Sequence, residues 1–526
     1  MKRLTYRSQL AESCWDEREN DAKNFISAPK WYPATVDSTL RFEGLMMRIQ
    51  SLIGGEWVGG FDRLPNRNPS DLADIVGEYA PLDQARTFQA VSAAKAAAPA
   101  WGLSTIQQRH DILKAAGDAL LARCGEIGAV LAREEGKTLA EAVGETRRAA
   151  QIFHFFAGEC LRSGGEYLPS VRADVTISIT REPLGVIGII TPWNFPIAIP
   201  AWKIAPALAW GNTVVFKPAE LVPASAWLLV SILHEAGLPD GVLNMVIGSG
   251  SVVGQAMLQS ADIDGYSFTG STDTGGIVAA AAASNFSRVQ LEMGGKNALV
   301  VLGDADLEIA VDCAINGAFF STGQRCTASS RLIVTQDIHD RFIDAMIAKM
   351  AMLKVGNALD PQTDIGPVVD QRQMDQDLDY IKVAQAEGGK LIIGGHIERH
   401  ETEGHYLSPA LITETNGAMR INREEVFGPI ASVICVKNYE EALEVTNDSD
   451  FGLTAGICTT SLKYSAHFKR HAQVGMTMVN LPTAGVDYHV PFGGKKRSSL
   501  GPREQGTHAR EFYTSSKTSY EFSGKL

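Results

Sequence analysis

An alternation of short apolar segments with helical segments begins at Gly185 and constrains the fold more than any other feature. Five segments have the length and composition of buried strands: Val186–Ile190, Thr213–Phe216, Leu243–Val246, Gly265–Phe268 and Val289–Glu292. Four segments between them have helical spacing: Ile199–Trp210, Ala224–Ala236, Val252–Ser260 and Thr274–Ala283. This order predicts an α/β fold with a parallel sheet covered by helices on both faces. A second α/β unit follows from Ala298 to about Val490.

The flanking regions have simpler patterns. Residues 82–162 are rich in alanine, leucine and charged residues at helical spacing, and residues 48–60 are typical of a first hairpin. The segments Val171–Arg181 and Arg510–Phe522 have partial strand character and stand apart from the other strands. We expect these two to pair with each other and to build a contact between subunits. Residues 1–46 are predicted to be a disordered extension without a role in the fold.

Composition excludes several classes of function. The net charge of −12 argues against a general binder of nucleic acid or anionic membranes. The most apolar stretch, Pro183–Pro200, is interrupted by prolines, glycines and Asn194, so it is not predicted to span a membrane. The seven cysteines are scattered, with no Cys-x-x-Cys pair, so neither a disulfide framework nor a metal site is indicated. A reducing, cytoplasmic location is expected.

One cysteine lies in a small polar stretch between an apolar helical segment and a strand. Phe319–Ser330 contains Cys326, with Gly323 ahead of it to allow a sharp turn. A thiol in such a loop is a candidate nucleophile, and we expect nearby backbone N–H dipoles to favour its thiolate. The alternative is a small buried apolar side chain.

Two motifs follow predicted strands. Asn194, between two prolines in Thr191–Pro196, is suited to donate a hydrogen bond to a developing oxyanion; the alternative is a turn asparagine. In Lys217–Glu220 the lysine and the glutamate can both reach a ribose; the alternative is a surface ion pair.

Glycines follow the next strands in the same way. Gly248–Gly254 and Phe268–Thr272 each open a helix whose N–H groups can hold a pyrophosphate, although plain helix capping explains them equally. At the end of the fifth strand, Glu292 precedes two glycines and could act as a general base, or form a salt bridge with Lys296.

A further motif carries a carboxylate close to an aromatic ring. In Glu424–Pro429, Glu425 could bind ribose hydroxyls while Phe427 packs beside a nicotinamide; the alternative is a helix-end carboxylate and a core phenylalanine. Pro491–Gly494 forms a rigid loop ahead of Gly501–Gly506.

In this order, the motifs resemble those of the aldehyde dehydrogenase superfamily across residues 47–526. The resemblance implies an NAD(P)-binding domain (47–162 and 183–293), a catalytic domain (294–494) and an oligomerisation arm (163–182 and 495–526). It also implies a homodimer or homotetramer, with Cys326 as nucleophile, Glu292 as general base and Asn194 as oxyanion donor. The cofactor, NAD or NADP, would contact these residues: Trp193, Lys217, Glu220, Gly270, Ser271, Glu425 and Phe427.

The C-terminal motif Ser498–Gly506 is one residue longer than the common family pattern, which leaves the equivalence of Glu504 open. With Gly-Gln-Arg-Cys, it resembles the α-ketoglutarate semialdehyde dehydrogenases; succinate and glutarate semialdehyde dehydrogenases are alternatives. An acidic substrate needs a cationic partner, for which Arg148 and Arg325 are candidates, with Trp202 along its methylene groups.

Two rival functions remain at this stage. A CoA-acylating aldehyde dehydrogenase would not need a base at Glu292, and a non-enzymatic relative would be expected to lose Cys326, Glu292 or Asn194. The presence of all three favours a hydrolytic aldehyde dehydrogenase.

Overall fold

The computed structural model describes residues 46–60, 62–162 and 164–524. The predicted N-terminal extension, apart from Met46, lies outside the described residues.

An eight-stranded sheet contains the five strands predicted first. In spatial order its strands are Ser499–Leu500, Arg288–Glu292, Gly265–Thr269, Val186–Ile190, Thr213–Lys217, Leu243–Met245, Ser51–Ile53 and Glu56–Val58. The five central strands are parallel, and the outer strands at both edges are antiparallel. The predicted boundaries agree with these to within one residue, and the predicted first hairpin, Ser51–Val58, is confirmed at one edge.

Helices cover this sheet because its central strands are apolar on both faces. Val186, Ile187 and Phe216 are fully buried, as expected for strands with no solvent-facing side. The helices of this part are Gln84–Gly102, Ile106–Ala122, Cys124–Glu135, Leu139–Leu161, Ala198–Ala209, Pro223–Glu235, Gln255–Gln259 and Thr272–Ser284. The helix predicted at Val252–Ser260 is divided: a π-helical turn, Gly250–Gly254, precedes Gln255–Gln259 because the Ser249 carbonyl accepts the Gly254 N–H.

A seven-stranded sheet forms the second α/β unit. In spatial order its strands are Lys390–Ile393, Ala410–Thr415, Ile430–Val436, Arg331–Thr335, Ala298–Val301, Thr454–Cys458 and Met476–Val479. All neighbouring pairs are parallel except the first, which is antiparallel. Its helices are Leu307–Phe319, His339–Met350, Gln371–Ala386, Arg420–Arg423, Tyr439–Asn447 and Leu462–His471.

Three small sheets complete the chain. Met47–Ile49, Asp71–Tyr79 and Leu64–Asn68 form one, and Phe451–Gly452 pairs with Lys495–Lys496 in another. In the third, Thr514–Phe522 pairs antiparallel with Val175–Pro183, which also pairs with Glu166–Pro169. The predicted pairing of the two separate strands is therefore confirmed.

The C-terminal strand starts later than predicted. Residues Arg510–Tyr513 form a helical turn, because Phe512 and Tyr513 are buried there, and the strand begins only at Thr514. Within the described ranges, no helix is long and apolar enough to cross a membrane.

The strand order creates a crevice at one edge of the eight-stranded sheet. The chain runs outward from Val186–Ile190 through Thr213–Lys217 and Leu243–Met245, then returns to the other side of the first strand at Gly265–Thr269. In the register, Ile190 is opposite both Lys217 and Phe268. Open α/β sheets bind ligands where the order reverses in this way, at the carboxyl ends of the strands. The predicted motifs at Thr191–Pro196, Lys217–Glu220, Phe268–Thr272 and Glu292 follow these ends.

Candidate active site

Cys326 lies in the loop between the helix Leu307–Phe319 and the strand Arg331–Thr335, as the sequence predicts. A tight turn contains it, closed by a 2.9 Å hydrogen bond from the Ala328 N–H to the Arg325 carbonyl. The side-chain amide of Asn297 donates to the Cys326 carbonyl at 2.7 Å, which fixes the peptide after the thiol.

Three consecutive residues before Cys326 have left-handed backbone conformations. Ser321, Thr322 and Gly323 have φ values of 52°, 56° and 67°, a strained arrangement for the two that carry side chains. The Glu141 carboxylate compensates by accepting both the Ser321 N–H, at 2.8 Å, and its hydroxyl, at 3.0 Å. Gly323 is required because a Cβ there would collide with the Gly428 carbonyl oxygen.

Asn194 reaches the same loop from the eight-stranded sheet. Its side-chain amide is buried and donates to the Gln324 carbonyl at 2.9 Å, two residues before Cys326. An amide carries two N–H donors, so the second remains for another acceptor. The predicted oxyanion donor and the predicted nucleophile are therefore neighbours.

Glu292 ends the strand Arg288–Glu292 and is buried. Its carboxylate accepts hydrogen bonds from the Gln290 amide, at 3.1 Å, and from the Ser499 hydroxyl. Its partners are therefore a neighbour on its own strand and a residue of the C-terminal segment, rather than Lys296.

A second buried carboxylate, Glu504, lies close to Glu292. The ammonium of Lys203 forms an ion pair with Glu504 and also donates to the Ser267 hydroxyl, at 2.9 Å. Gln290 connects this cluster to the base, since its amide oxygen accepts from Ser267 while its NH₂ group donates to Glu292. Although the longer C-terminal motif left its equivalence open, Glu504 lies within the polar network of the site.

Burial shifts the proton affinity of these groups upward. Desolvation and the neighbouring charge of Glu504 hold the pKa of Glu292 well above its usual range, and desolvation also raises the pKa of Glu504. Burial, followed by the charges of Glu425 and Glu292, raises the pKa of Cys326 to about 12.

The expected effect of backbone dipoles on the Cys326 thiolate is present, but it is not the dominant one in the unliganded chain. A backbone N–H lowers the thiol's pKa, but desolvation and the nearby carboxylates outweigh it.

The predicted cofactor residues of the first sheet line its carboxyl edge. Lys217 is buried, its ammonium donates only a long 3.2 Å bond to the Pro218 carbonyl, and burial lowers its pKa. Ser271 caps the helix Thr272–Ser284, since its hydroxyl accepts the Thr274 N–H at 3.3 Å. This is the helix-capping role given above as the alternative to pyrophosphate binding. Neither Gly250 nor Gly276 has any atom within 4 Å of where a Cβ would stand, so the surface beside both helix starts is open.

Glu425 and Phe427 approach this edge from the second sheet. The Glu425 carboxylate accepts the Gly295 N–H at 2.8 Å, and burial raises its pKa to about 7. The Phe427 ring meets the Trp193 ring edge to face, with centroids 5.4 Å apart. Residues from both α/β units thus surround one crevice.

The three predicted substrate residues do not all come together. Arg148 donates to the Val486 carbonyl at 2.6 Å and lies over the Tyr488 ring, while Trp202 stacks on Phe492. Both therefore contact the segment 486–492. The guanidinium of Arg325 instead donates to the Asn316 carbonyl on the preceding helix.

Three polar residues of this region were not predicted from the sequence to belong to the site. Lys203 is a charged residue within the otherwise apolar helix Ala198–Ala209. A lone lysine in such a helix is a pattern from which a buried polar contact could have been predicted. Ser499 and Lys137 stand in polar stretches that are typical of a surface, and only the fold shows that Lys137 is buried and that Ser499 contacts Glu292.

The crevice combines a partly buried thiol, an amide donor and a buried carboxylate with the carboxyl edge of a parallel sheet, where α/β proteins bind their ligands. Residues 57–519 match the aldehyde dehydrogenase family, and the chain belongs to that family. The predicted fold class and enzyme class are confirmed.

Individual relatives are similar along nearly their whole length. The chain is 42% identical to an α-ketoglutaric semialdehyde dehydrogenase of Bacillus subtilis over 472 residues, which covers 89% of this chain and 97% of that protein. A betaine aldehyde dehydrogenase from Staphylococcus aureus, solved in complex with NAD⁺, superimposes with a TM-score of 0.88 at 32% identity, covering 91% of this chain and 96% of that one. An NADP-dependent enzyme of Escherichia coli gives 0.87 at 33% identity, covering 90% and 98%.

The left-handed turn before the thiol generates a first prediction. Gly323→Ala should lower both thermal stability and the rate of aldehyde oxidation, because the added Cβ is strained at a φ of 67° and meets the Gly428 carbonyl. Gly125→Ala is the matched control, since a Cβ at that helical glycine meets nothing within 4 Å and should change stability by at most about 1 kcal/mol. Equal melting temperatures and rates for the two variants would show that the turn is not constrained as described.

Proposed function

We propose that this protein oxidises α-ketoglutarate semialdehyde (2,5-dioxopentanoate) to α-ketoglutarate with NAD or NADP. The observation that carries the chemistry is the convergence of Cys326, Asn194 and Glu292 at the switch-point edge of the sheet. The substrate is supported by the name of the Bacillus relative, at 42% identity. Succinate and glutarate semialdehydes are the nearest alternative substrates.

The crevice fits a nicotinamide dinucleotide. We assign residues 47–162 and 183–293 to its binding domain, 294–494 to the catalytic domain, and 163–182 with 495–526 to an oligomerisation arm. Lys217 and Glu220 would hold one ribose and Glu425 the other, while Gly270 and Ser271 present helix N–H groups to the pyrophosphate. Trp193 and Phe427 would pack beside the nicotinamide, which supplies the hydride acceptor when bound. The poorly satisfied ammonium of Lys217 supports this fit.

Cys326 is the proposed nucleophile. Its sulfur attacks the aldehyde carbon, and the oxyanion that forms receives hydrogen bonds from the free N–H of the Asn194 amide and from the Cys326 N–H. The position of Asn194 beside Gln324 supports this role, since it brings the amide to the loop of the thiol. Loss of hydride from the resulting thiohemiacetal leaves a thioester on Cys326.

Glu292 is the proposed base for hydrolysis of that thioester. Its raised pKa makes it a stronger base toward water than an ordinary carboxylate. A CoA-acylating enzyme would release the thioester to CoA without such a base, so the buried carboxylate favours hydrolysis.

We further infer a homodimer or homotetramer in the cytoplasm. The strand Thr514–Phe522 is exposed along most of its length and its neighbour Val175–Pro183 is half-buried, which supports an arm that packs on another copy. Free cysteines support a reducing compartment. Light scattering of the purified protein measures the assembly.

The two-step mechanism can be tested with Glu292→Gln. This variant should release one equivalent of reduced cofactor per active site and then stop, because the thioester on Cys326 is no longer hydrolysed. A rapid-quench experiment with mass spectrometry of the acylated protein measures both quantities.

Cys326→Ala is the control for that experiment, and should give neither the burst nor the adduct while still binding cofactor. Steady turnover by Glu292→Gln at the wild-type rate would assign the base to another group, with Glu504 the first candidate.

The contact between Ser499 and Glu292 generates a pH prediction. A hydroxyl that donates to a carboxylate favours its ionised form, so Ser499→Ala should raise the pKa of Glu292 further. Activity requires the ionised base and falls as pH decreases, so the acidic limb of the kcat profile should move to higher pH.

Ser498→Ala is the matched control, because its hydroxyl accepts the Gly452 N–H at 3.0 Å and does not contact Glu292. An acidic limb that stays in place or moves to lower pH in Ser499→Ala would contradict the assignment.

Replacing Arg148 or Arg325 with alanine tests whether either side chain binds the carboxylate of the substrate. Removing a partly desolvated charge-assisted contact should lower kcat/KM for α-ketoglutarate semialdehyde by about 10- to 150-fold, with little change for a neutral aldehyde of similar length. We expect at least one of Arg148→Ala and Arg325→Ala to give this selective loss, since each guanidinium also donates to a backbone carbonyl, that of Val486 or of Asn316. Trp202 is proposed to pack along the methylene groups of the substrate. Equal losses on both aldehydes, or none for either variant, would exclude both arginines as the carboxylate partner.

A further inference from the structure

Two buried charged side chains hold the loop of Asn194, and the chemistry above does not use them. The Lys137 ammonium donates to the Asn194 carbonyl at 2.6 Å and to the Glu145 carboxylate at 2.7 Å. It also lies 3.8 Å from the centre of the Phe195 ring. Both charged side chains are almost completely buried, at 1% and 2% exposure.

Glu145 holds the other end of the same loop. Its second oxygen accepts the N–H groups of Ile197 and Ala198, at 2.9 and 3.0 Å, where the helix Ala198–Ala209 begins. The peptide of Asn194 is therefore fixed on one side by Lys137 and the following residues by Glu145. Between these fixed points, the direction of the Asn194 amide is set by its own side-chain torsions and by its hydrogen bond to the Gln324 carbonyl.

Net stability alone is a weak explanation for such a pair. Two charges taken out of water lose hydration that their mutual attraction barely returns, and apolar replacements of similar volume are often as stable. A buried ion pair that is also hydrogen-bonded to the backbone holds the surrounding atoms in one fixed geometry. The atoms it fixes here belong to the loop that carries the proposed oxyanion donor.

We infer that Lys137 and Glu145 are positioning residues for the oxidation reaction. They hold the backbone of residues 194–198 so that the free N–H of the Asn194 amide points to where the oxyanion forms, and neither side chain contacts the substrate. This inference rests on the proposed role of Asn194. A displacement of about 1 Å in a catalytic donor can reduce a rate about a hundredfold, so a modest shift of this loop has a measurable effect.

The test is a double-mutant cycle on the hydride-transfer step. Glu145→Gln and Lys137→Met are each made alone and combined with Asn194→Ala, and the single-turnover rate of reduced-cofactor formation is measured at saturating aldehyde and cofactor. Each single variant should slow this step by about 10- to 100-fold. In the Asn194→Ala background the same changes should alter the rate by no more than about twofold, because the donor they position is already absent.

Glu134→Gln is the matched control. Glu134 is also a buried carboxylate that accepts two N–H groups at a helix start, those of Ala224 and Ser225 at 2.6 and 2.8 Å, but it lies at a different helix. It should lower the melting temperature without slowing hydride transfer. The rate of Cys326 alkylation by iodoacetamide should stay close to wild type in all variants, since alkylation forms no oxyanion.

The outcomes separate the two proposals. Wild-type hydride transfer in Asn194→Ala would overturn the proposed oxyanion role itself. A slow Asn194→Ala combined with equal effects of Glu145→Gln in both backgrounds would overturn only the positioning role. If Lys137→Met does not fold, Glu145→Gln still decides the question, because it keeps the shape of the side chain and one acceptor for the loop.

Discussion

Cys326 lies close to three glutamate carboxylates, and burial, followed by repulsion between neighbouring anions, raises the pKa values of the site. Glu292, Glu425 and Glu504 each raise the pKa of the thiol, and burial raises the pKa of each carboxylate. A thiol that stays protonated reacts slowly with oxidants and electrophiles. Burial and the surrounding carboxylates therefore favour the thiol form of Cys326 over the thiolate in the unliganded site.

Two buried lysines balance this excess of acid at separate places. Lys203 pairs with Glu504 beside the proposed base, and Lys137 pairs with Glu145 beneath the loop of Asn194. Breaking either pair would leave an unpaired charge inside the protein, which is far more costly than never having the pair. The polar interior around this site is therefore sensitive to single substitutions that remove charge, even where no substrate contact is lost.

The sequence is sufficient to predict the parts of the fold and site that depend on local pattern. Buried parallel strands are short apolar runs, so Val186–Ile190 is found with its observed boundaries. Asn194 and Glu292 follow from motifs at strand ends, and Cys326 from a small polar stretch between a helix and a strand. Contacts across distant segments leave no such pattern: Ser499 reaches Glu292 over 207 positions. Arg325 is adjacent to Cys326 in sequence, yet its side chain turns to Asn316, because neighbouring side chains in a turn point in different directions.

The order of the chain has a consequence for its synthesis. Ser499–Leu500 supplies the outermost strand beside Arg288–Glu292, Glu504 meets Lys203 from 301 positions away, and Thr514–Phe522 pairs with Val175–Pro183. A polypeptide still on the ribosome therefore lacks the partners of its proposed base and exposes an unpaired strand edge, which can pair with other chains. Products that lack residues 499–522 would lose these contacts and be prone to aggregate, so this segment protects the fold as well as completing the site.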